Sequence, residues 1–162
     1  MKISAMNIVQ EDAHIFWDRA SMAPQVMTRI EEELRAANLP VKAGLEKVSA
    51  GMLKGSKQFL VIEGPKKDVK ILISAEGYGN FLHVFTYMLS EPSMFKQLGA
   101  SLTAVASKNP GAAGLAYNLS QNPFDQQEYS MFWNSVTSVV DFSLHNLNLK
   151  KGFAGLEVPV GV

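Results

Sequence analysis

The sequence predicts a single α+β domain over residues 1–162: an antiparallel four- to five-stranded meander sheet flanked by N-terminal helices and a long C-terminal helix. Three apolar runs, residues 59–62, 69–73 and 81–85, follow one another across short breaks carrying Gly, the pattern of strands joined by hairpin turns. An apolar stripe at Met27, Ile30 and Leu34 precedes them, and a wider one from Tyr129 to Leu147 follows, both at helical spacing. A length of 162 residues suits one hydrophobic core.

In chain order, residues 10–20 read as a short helix, with Asn7 as its cap and Ile15, Phe16 and Arg19 within one turn. A clearer helix follows Ser21, with Pro24 in its first turn, Arg29, Glu31, Glu32 and Arg35 on its wet side, and Asn38 and Pro40 as stops. Val41, Ala43 and Leu45 alternate with Lys42, Gly44 and Glu46 as a half-buried first strand, and a bulge near Glu46 and Lys47 would return Val48 to the core face. The second strand covers residues 57–63, and the third buries Val69, Ile71 and Ile73 on one face. Residues 76–80 form the next turn and lead into a strand over 81–89.

That last strand is apolar on both faces: Phe81, Phe85, Tyr87 and Leu89 on one, Leu82, Val84 and Met88 on the other. A sheet with one wet face does not need this, so either helices cover both faces or one face meets a partner. A helix beginning at Ser93 carries Met94, Leu98, Leu102 and Val105. Residues 107–123, rich in Gly, Ala, Asn and Pro, read as a long irregular connection. The final helix starts near Asp125, with Glu128 three residues on as in a capping box, and ends at Lys150, Lys151 and Gly152. Residues 152–162 are expected as a loose tail or an edge strand.

Composition narrows the chemistry. Apolar residues make up 47% of the chain and charged residues 19%, which excludes wholesale disorder. The absence of cysteine removes disulfides, thiolate nucleophiles and Cys-ligated metals, and suits a cytoplasmic protein. The first fifteen residues lack an apolar run of signal-peptide length, and no stretch reaches the ~20 apolar residues that span a bilayer. Net charge is zero, but residues 40–70 hold seven lysines against Glu46, Glu63 and Asp68. Lysine without arginine fits solvated strand edges better than phosphate or base readout, so nucleic acid is not the expected partner.

No catalytic constellation emerges. Glu11, Asp12 and His14 form the only tight titratable cluster with a histidine, but their spacing is not a metalloprotease motif, and acids at a helix start are ordinary dipole partners. His83 lies in a strand, with Glu76 and Tyr78 as candidate neighbours, and His145 stands four residues from Asp141 as a surface pair. Residues 77–79 join strand to strand and residues 111–114 follow no strand, so neither serves as a phosphate loop. Neither a metal nor a cofactor is expected.

The function expected from these features is a non-enzymatic binding or adaptor (chaperone-like) module acting as a homodimer through an apolar sheet or helix surface, to which eight Met and nine Phe lend adaptable contact. The alternative is a small apolar ligand held between sheet and C-terminal helix, with His83, Phe85, Tyr87, Tyr117, Phe132 and Trp133 as candidate lining residues. An enzyme built on Glu11, Asp12 and His14, or on His83, is a third and weaker reading.

Overall fold

The computed structural model describes residues 7–49, 55–64, 69–90 and 123–149. They contain β1 (Asn7–Phe16), a 3-10 turn (Ala20–Met22), α1 (Ala23–Ala36), β2 (Lys42–Ser49), β3 (Ser56–Glu63), β4 (Val69–Tyr78), β5 (Phe81–Ser90) and α2 (Pro123–Asn146). The five strands form one sheet in the order β1-β5-β4-β3-β2, antiparallel throughout. Strands β2 to β5 make the expected meander. β1 then pairs with β5, which places the first of the described strands beside the last.

β1 corrects the helix expected over residues 10–20. Its register runs from Asn7 opposite Ser90 to Phe16 opposite Leu82, with one irregularity between Ile8 and Gln10. Exposure alternates with period two: Glu11, Ala13 and Ile15 are exposed, whereas His14 and Phe16 are buried. The local helix signals were genuine, but pairing along a ten-residue neighbour outweighs so weak a propensity.

α1 forms where the Met27, Ile30 and Leu34 spacing places it, with Pro24 in the first turn, where a missing N–H costs nothing. Its fully covered residues are Val26, Ile30 and Leu34, while Met27 is partly buried beside them. Removing a side chain such as Ile30 from water contributes about 1.5–3 kcal/mol. Arg29 and Arg35 pair with Glu33 and Glu31 one turn away on the wet side. Asn38, at φ +49°, takes the left-handed conformation that ends the helix.

β2 runs against β3 without a register shift from Lys42 opposite Glu63 to Ser49 opposite Ser56, so the expected bulge at Glu46 and Lys47 does not occur. Val48 therefore points to the face opposite Leu45, where it is buried beside Phe59 and Val61, and Leu45 remains 47% exposed. The β4–β5 hairpin is tighter than expected. Tyr78 pairs with Phe81, which leaves Gly79 and Asn80 as the loop, and Gly79 takes φ +58°.

Helices α1 and α2 lie on one face of the sheet. There Leu60, Ile62, Val69, Ile71, Ile73, Leu82, Val84 and Met88 pack with Val26 and Ile30 of α1 and with Tyr129, Phe132, Val136, Val140 and Leu144 of α2. The opposite face holds a smaller cluster of Val48, Phe59, Val61, Leu72 and Leu89, with Tyr87 against it. Among the described residues no helix is long and apolar enough to cross a membrane. The helix expected from Ser93, the connection 107–123, Tyr117 and the tail 152–162 lie outside the described residues.

Candidate functional site

Alternation along β5 sends Phe81, His83, Phe85 and Tyr87 to the face away from the helices, and because side chains two residues apart stand side by side, their rings form a ladder. His83 stacks on Phe85 with centroids 5.8 Å apart, Phe85 stacks on Tyr87 at 5.9 Å, and Phe81 lies tilted 6.2 Å from His83. All four are half-buried. Two further rings enter from the sheet rim: Trp17, just past β1, meets Phe81 edge-on at 4.7 Å, and Tyr78 meets His83 edge-on at 6.5 Å.

Exposure rises toward this rim. Phe59, Val61 and Leu72 are buried farther along the face, whereas Ile15 is 48%, Trp17 52% and Tyr78 79% exposed. Ile15 stands opposite His83 in the register, so the exposed side chains adjoin the ring ladder. The result is a contiguous apolar and aromatic shelf with one edge in water.

The charges on this face largely compensate one another. Lys57 Nζ donates to both carboxylate oxygens of Glu76, at 2.9 and 2.6 Å, and Glu76 is the register partner of His83. Lys70 Nζ lies 3.8 Å from Glu63, its register partner on β3. Tyr87 lies within this electrostatic frame: burial pushes its phenol above the ordinary value of 10.0, the Glu11 and Glu76 carboxylates push it further, and the Lys57 ammonium opposes them.

A second constellation joins the two layers on the helix side. His14 Nε2 lies 3.1 Å from Asp12 Oδ2 on its own strand and 3.5 Å from Asp141 Oδ1 on α2, and the imidazole is buried. Asp12 Oδ1 also accepts the N–H of Ala13 at 3.0 Å. Thr86, the register partner of Asp12, is buried with its hydroxyl unpaired. Because residues 11 and 12 of a strand point to opposite faces, Glu11 does not share this cluster with Asp12 and His14. Among the described residues no group of three His, Cys, Asp or Glu side chains is arranged to hold a metal ion.

The candidate residues from the sequence divide between the two sides of the sheet. His83, Phe85 and Tyr87 come together in the ladder, with Glu76 and Tyr78 beside His83 as expected. Phe132 is buried in the helix-side core and Trp133 packs partly buried against it, so these five residues do not wall one space. Asp141, expected beside His145, reaches His14 instead. The sequence reading missed Ile15 and Trp17, which the helix expected over residues 10–20 would have placed on a different surface. The signal available for them was the period-two alternation of residues 11–16.

Outside the sheet, Phe124, Met131 and Phe142 of α2 are 81%, 56% and 54% exposed. No family model, no curated protein and no solved structure matches the chain.

Proposed function

We propose that this chain is a non-enzymatic binding or adaptor (chaperone-like) module, active as a homodimer, that takes up an apolar protein segment on the sheet rim formed by Ile15, Trp17, Tyr78 and Phe81. The observation that carries this reading is the exposure of Trp17 and Tyr78 in direct continuity with the ring ladder of β5. Large apolar side chains left in water cost about 25 cal/mol for each Å² that a partner would cover. Trp and Tyr are also the side chains that most often anchor protein interfaces, because they offer much area with few rotors.

The charge pattern argues for a protein partner over nucleic acid. Lys57 and Lys70 are already engaged by Glu76 and Glu63, and Glu11 adds a further carboxylate, whereas a phosphate backbone calls for a positive track. A small apolar ligand between sheet and α2 has less support, since Phe132 contributes to core packing there. A cytoplasmic location belongs to the same reading, as a chain without cysteine needs no oxidising compartment.

The test is selection of a displayed random-peptide library on the purified protein. Retained peptides are expected to carry large apolar residues and to lose affinity by about tenfold or more on Trp17→Ser combined with Tyr78→Ser, the equivalent of about 1.4 kcal/mol. Unchanged affinity in that double variant, with its fold intact by circular dichroism, would overturn the reading.

A further inference from the structure

We propose that the free edge of β1 is a strand-addition site, on which an extended apolar protein segment pairs antiparallel to residues 11–15 and enlarges the five-stranded sheet. This inference rests on the rim reading above and gives the segment taken up there its conformation, direction and sequence pattern.

The register identifies which main-chain groups of β1 are open. With Gly79 and Asn80 as a two-residue loop, Tyr78 and Phe81 form the hydrogen-bonded pair that closes the hairpin. Bonding direction alternates along a strand, so Phe81, His83, Phe85 and Tyr87 bond toward β4, and Leu82, Val84 and Thr86 bond toward β1. Their register partners are Phe16, His14 and Asp12, which leaves the N–H and C=O groups of Glu11, Ala13 and Ile15 directed outward from the sheet edge. The contact at Ala13 agrees independently, since its N–H donates to the Asp12 carboxylate at 3.0 Å. That carboxylate stands where the carbonyl of a neighbouring strand would stand.

The two edges of the sheet differ. β2 carries Lys42 and Lys47, the kind of charge that guards an edge against pairing. β1 has no Lys, Arg or Pro, and its one irregularity lies between Ile8 and Gln10, outside the open stretch. Glu11, Ala13 and Ile15 are all exposed, and Trp17 continues the row. A row of main-chain donors and acceptors facing outward is matched by another extended backbone.

The side chains of Glu11, Ala13 and Ile15 lie on the face of the ring ladder, so the residue paired with each presents its own side chain there, about 5.5 Å away between Cα atoms. Near Ile15 and Trp17 it meets apolar surface, and opposite Glu11 it meets a carboxylate. An antiparallel segment therefore carries large apolar residues at alternate positions, followed toward its C-terminus by Lys or Arg. The main-chain ladder supplies affinity and the rim supplies selectivity. On addition, the carbonyl of the new strand replaces Asp12 Oδ1 at Ala13, while Asp12 keeps His14 through Oδ2.

The probe is a synthetic heptapeptide, capped at both ends, with isoleucine at its first, third and fifth positions, lysine at its seventh and threonine between them. Followed by NMR on isotope-labelled protein, it is expected to slow amide exchange at Glu11 and Ile15 about tenfold or more. N-methylation of its third or fifth residue, whose N–H faces β1, should weaken binding about tenfold or more, and N-methylation of a threonine should leave it within about twofold. Ala13→Pro removes an outward N–H without touching the β1–β5 bonds, and should weaken binding as much with unchanged circular dichroism. The N-methyl series uses the unaltered chain, so it decides even where Ala13→Pro fails to fold. Equal sensitivity of the two N-methyl sets, or no heptapeptide binding by a protein that still binds library-selected peptides, would overturn strand addition and leave the rim reading standing. Slow exchange at Glu11 and Ile15 before peptide is added would also overturn it, by showing the edge already paired within the chain or with a second copy. Failure of heptapeptide and library peptides alike would overturn both.

Discussion

His14 of β1 and Asp141 of α2 meet at 3.5 Å, with Asp12 at 3.1 Å from the same imidazole nitrogen, so a single buried ring ties the first described strand to the last described helix. The contact places α2 over the β1 side of the sheet. It also fixes the β1 face, because turning β1 over would send His14 into water and Ile15 into the core.

His14→Ala is expected to destabilise the fold by about 2 kcal/mol, through lost polar contacts and the space left behind. Asp141→Asn should cost at most about 1 kcal/mol, since that carboxylate is half exposed and screened. Urea unfolding of the two variants measures the difference. Equal losses would mean that the ring contributes through the Asp141 contact alone.

Tyr87 predicts a pH dependence at the alkaline end. Its folded pKa lies above the ordinary 10.0, so the folded chain keeps the phenolic proton where the unfolded chain has lost it. This contribution to stability is complete below pH 10.0 and is lost as pH rises through the folded value. Ultraviolet titration of phenolate should show a late-ionising component that disappears in Tyr87→Phe and moves to lower pH in Glu11→Gln, which removes a carboxylate that raises it.

Two glycines of the sheet are expected to behave differently. A Cβ at Gly77 would lie 2.9 Å from the Ala20 carbonyl oxygen and 3.1 Å from the Ala20 Cβ, so Gly77→Ala must push the 3-10 turn off β4 and should cost about 1–3 kcal/mol. Gly44 has nothing within 4 Å of that position, and Gly44→Ala should be neutral or slightly stabilising. Thermal melts of both variants provide the comparison.

The adjacent aromatics of α2 differ in the same way. Phe132 is buried in the core, so Phe132→Ala should cost about 3–5 kcal/mol, and Trp133→Ala, at a partly buried site, should cost less. A larger loss at Trp133 would contradict the orientation of α2 described above.

Much of the fold was legible because the strands carry strong local patterns. Val69, Ile71 and Ile73 alternate with less apolar neighbours at the β4 start, and the stripe from Tyr129 to Leu144 matches the buried residues of α2. β1 was misread because Asn7, Ile15, Phe16 and Arg19 also satisfy a helix, and only pairing with β5, far along the sequence, decides between the two. The orientation of Val48 depended likewise on register with β3. The ladder of His83, Phe85 and Tyr87 was foreshadowed by the doubly apolar β5. Its extension to Trp17 and Tyr78 required the strand order, which brings β1 beside β5 and makes one rim from three separate segments.

The most direct test of the central claim is native mass spectrometry of freshly purified protein, which reads subunit number and retained small molecules together. A homodimeric adaptor predicts twice the chain mass with no small-molecule adduct. A single-chain mass carrying a bound small molecule would contradict it and return attention to a ligand-binding protein.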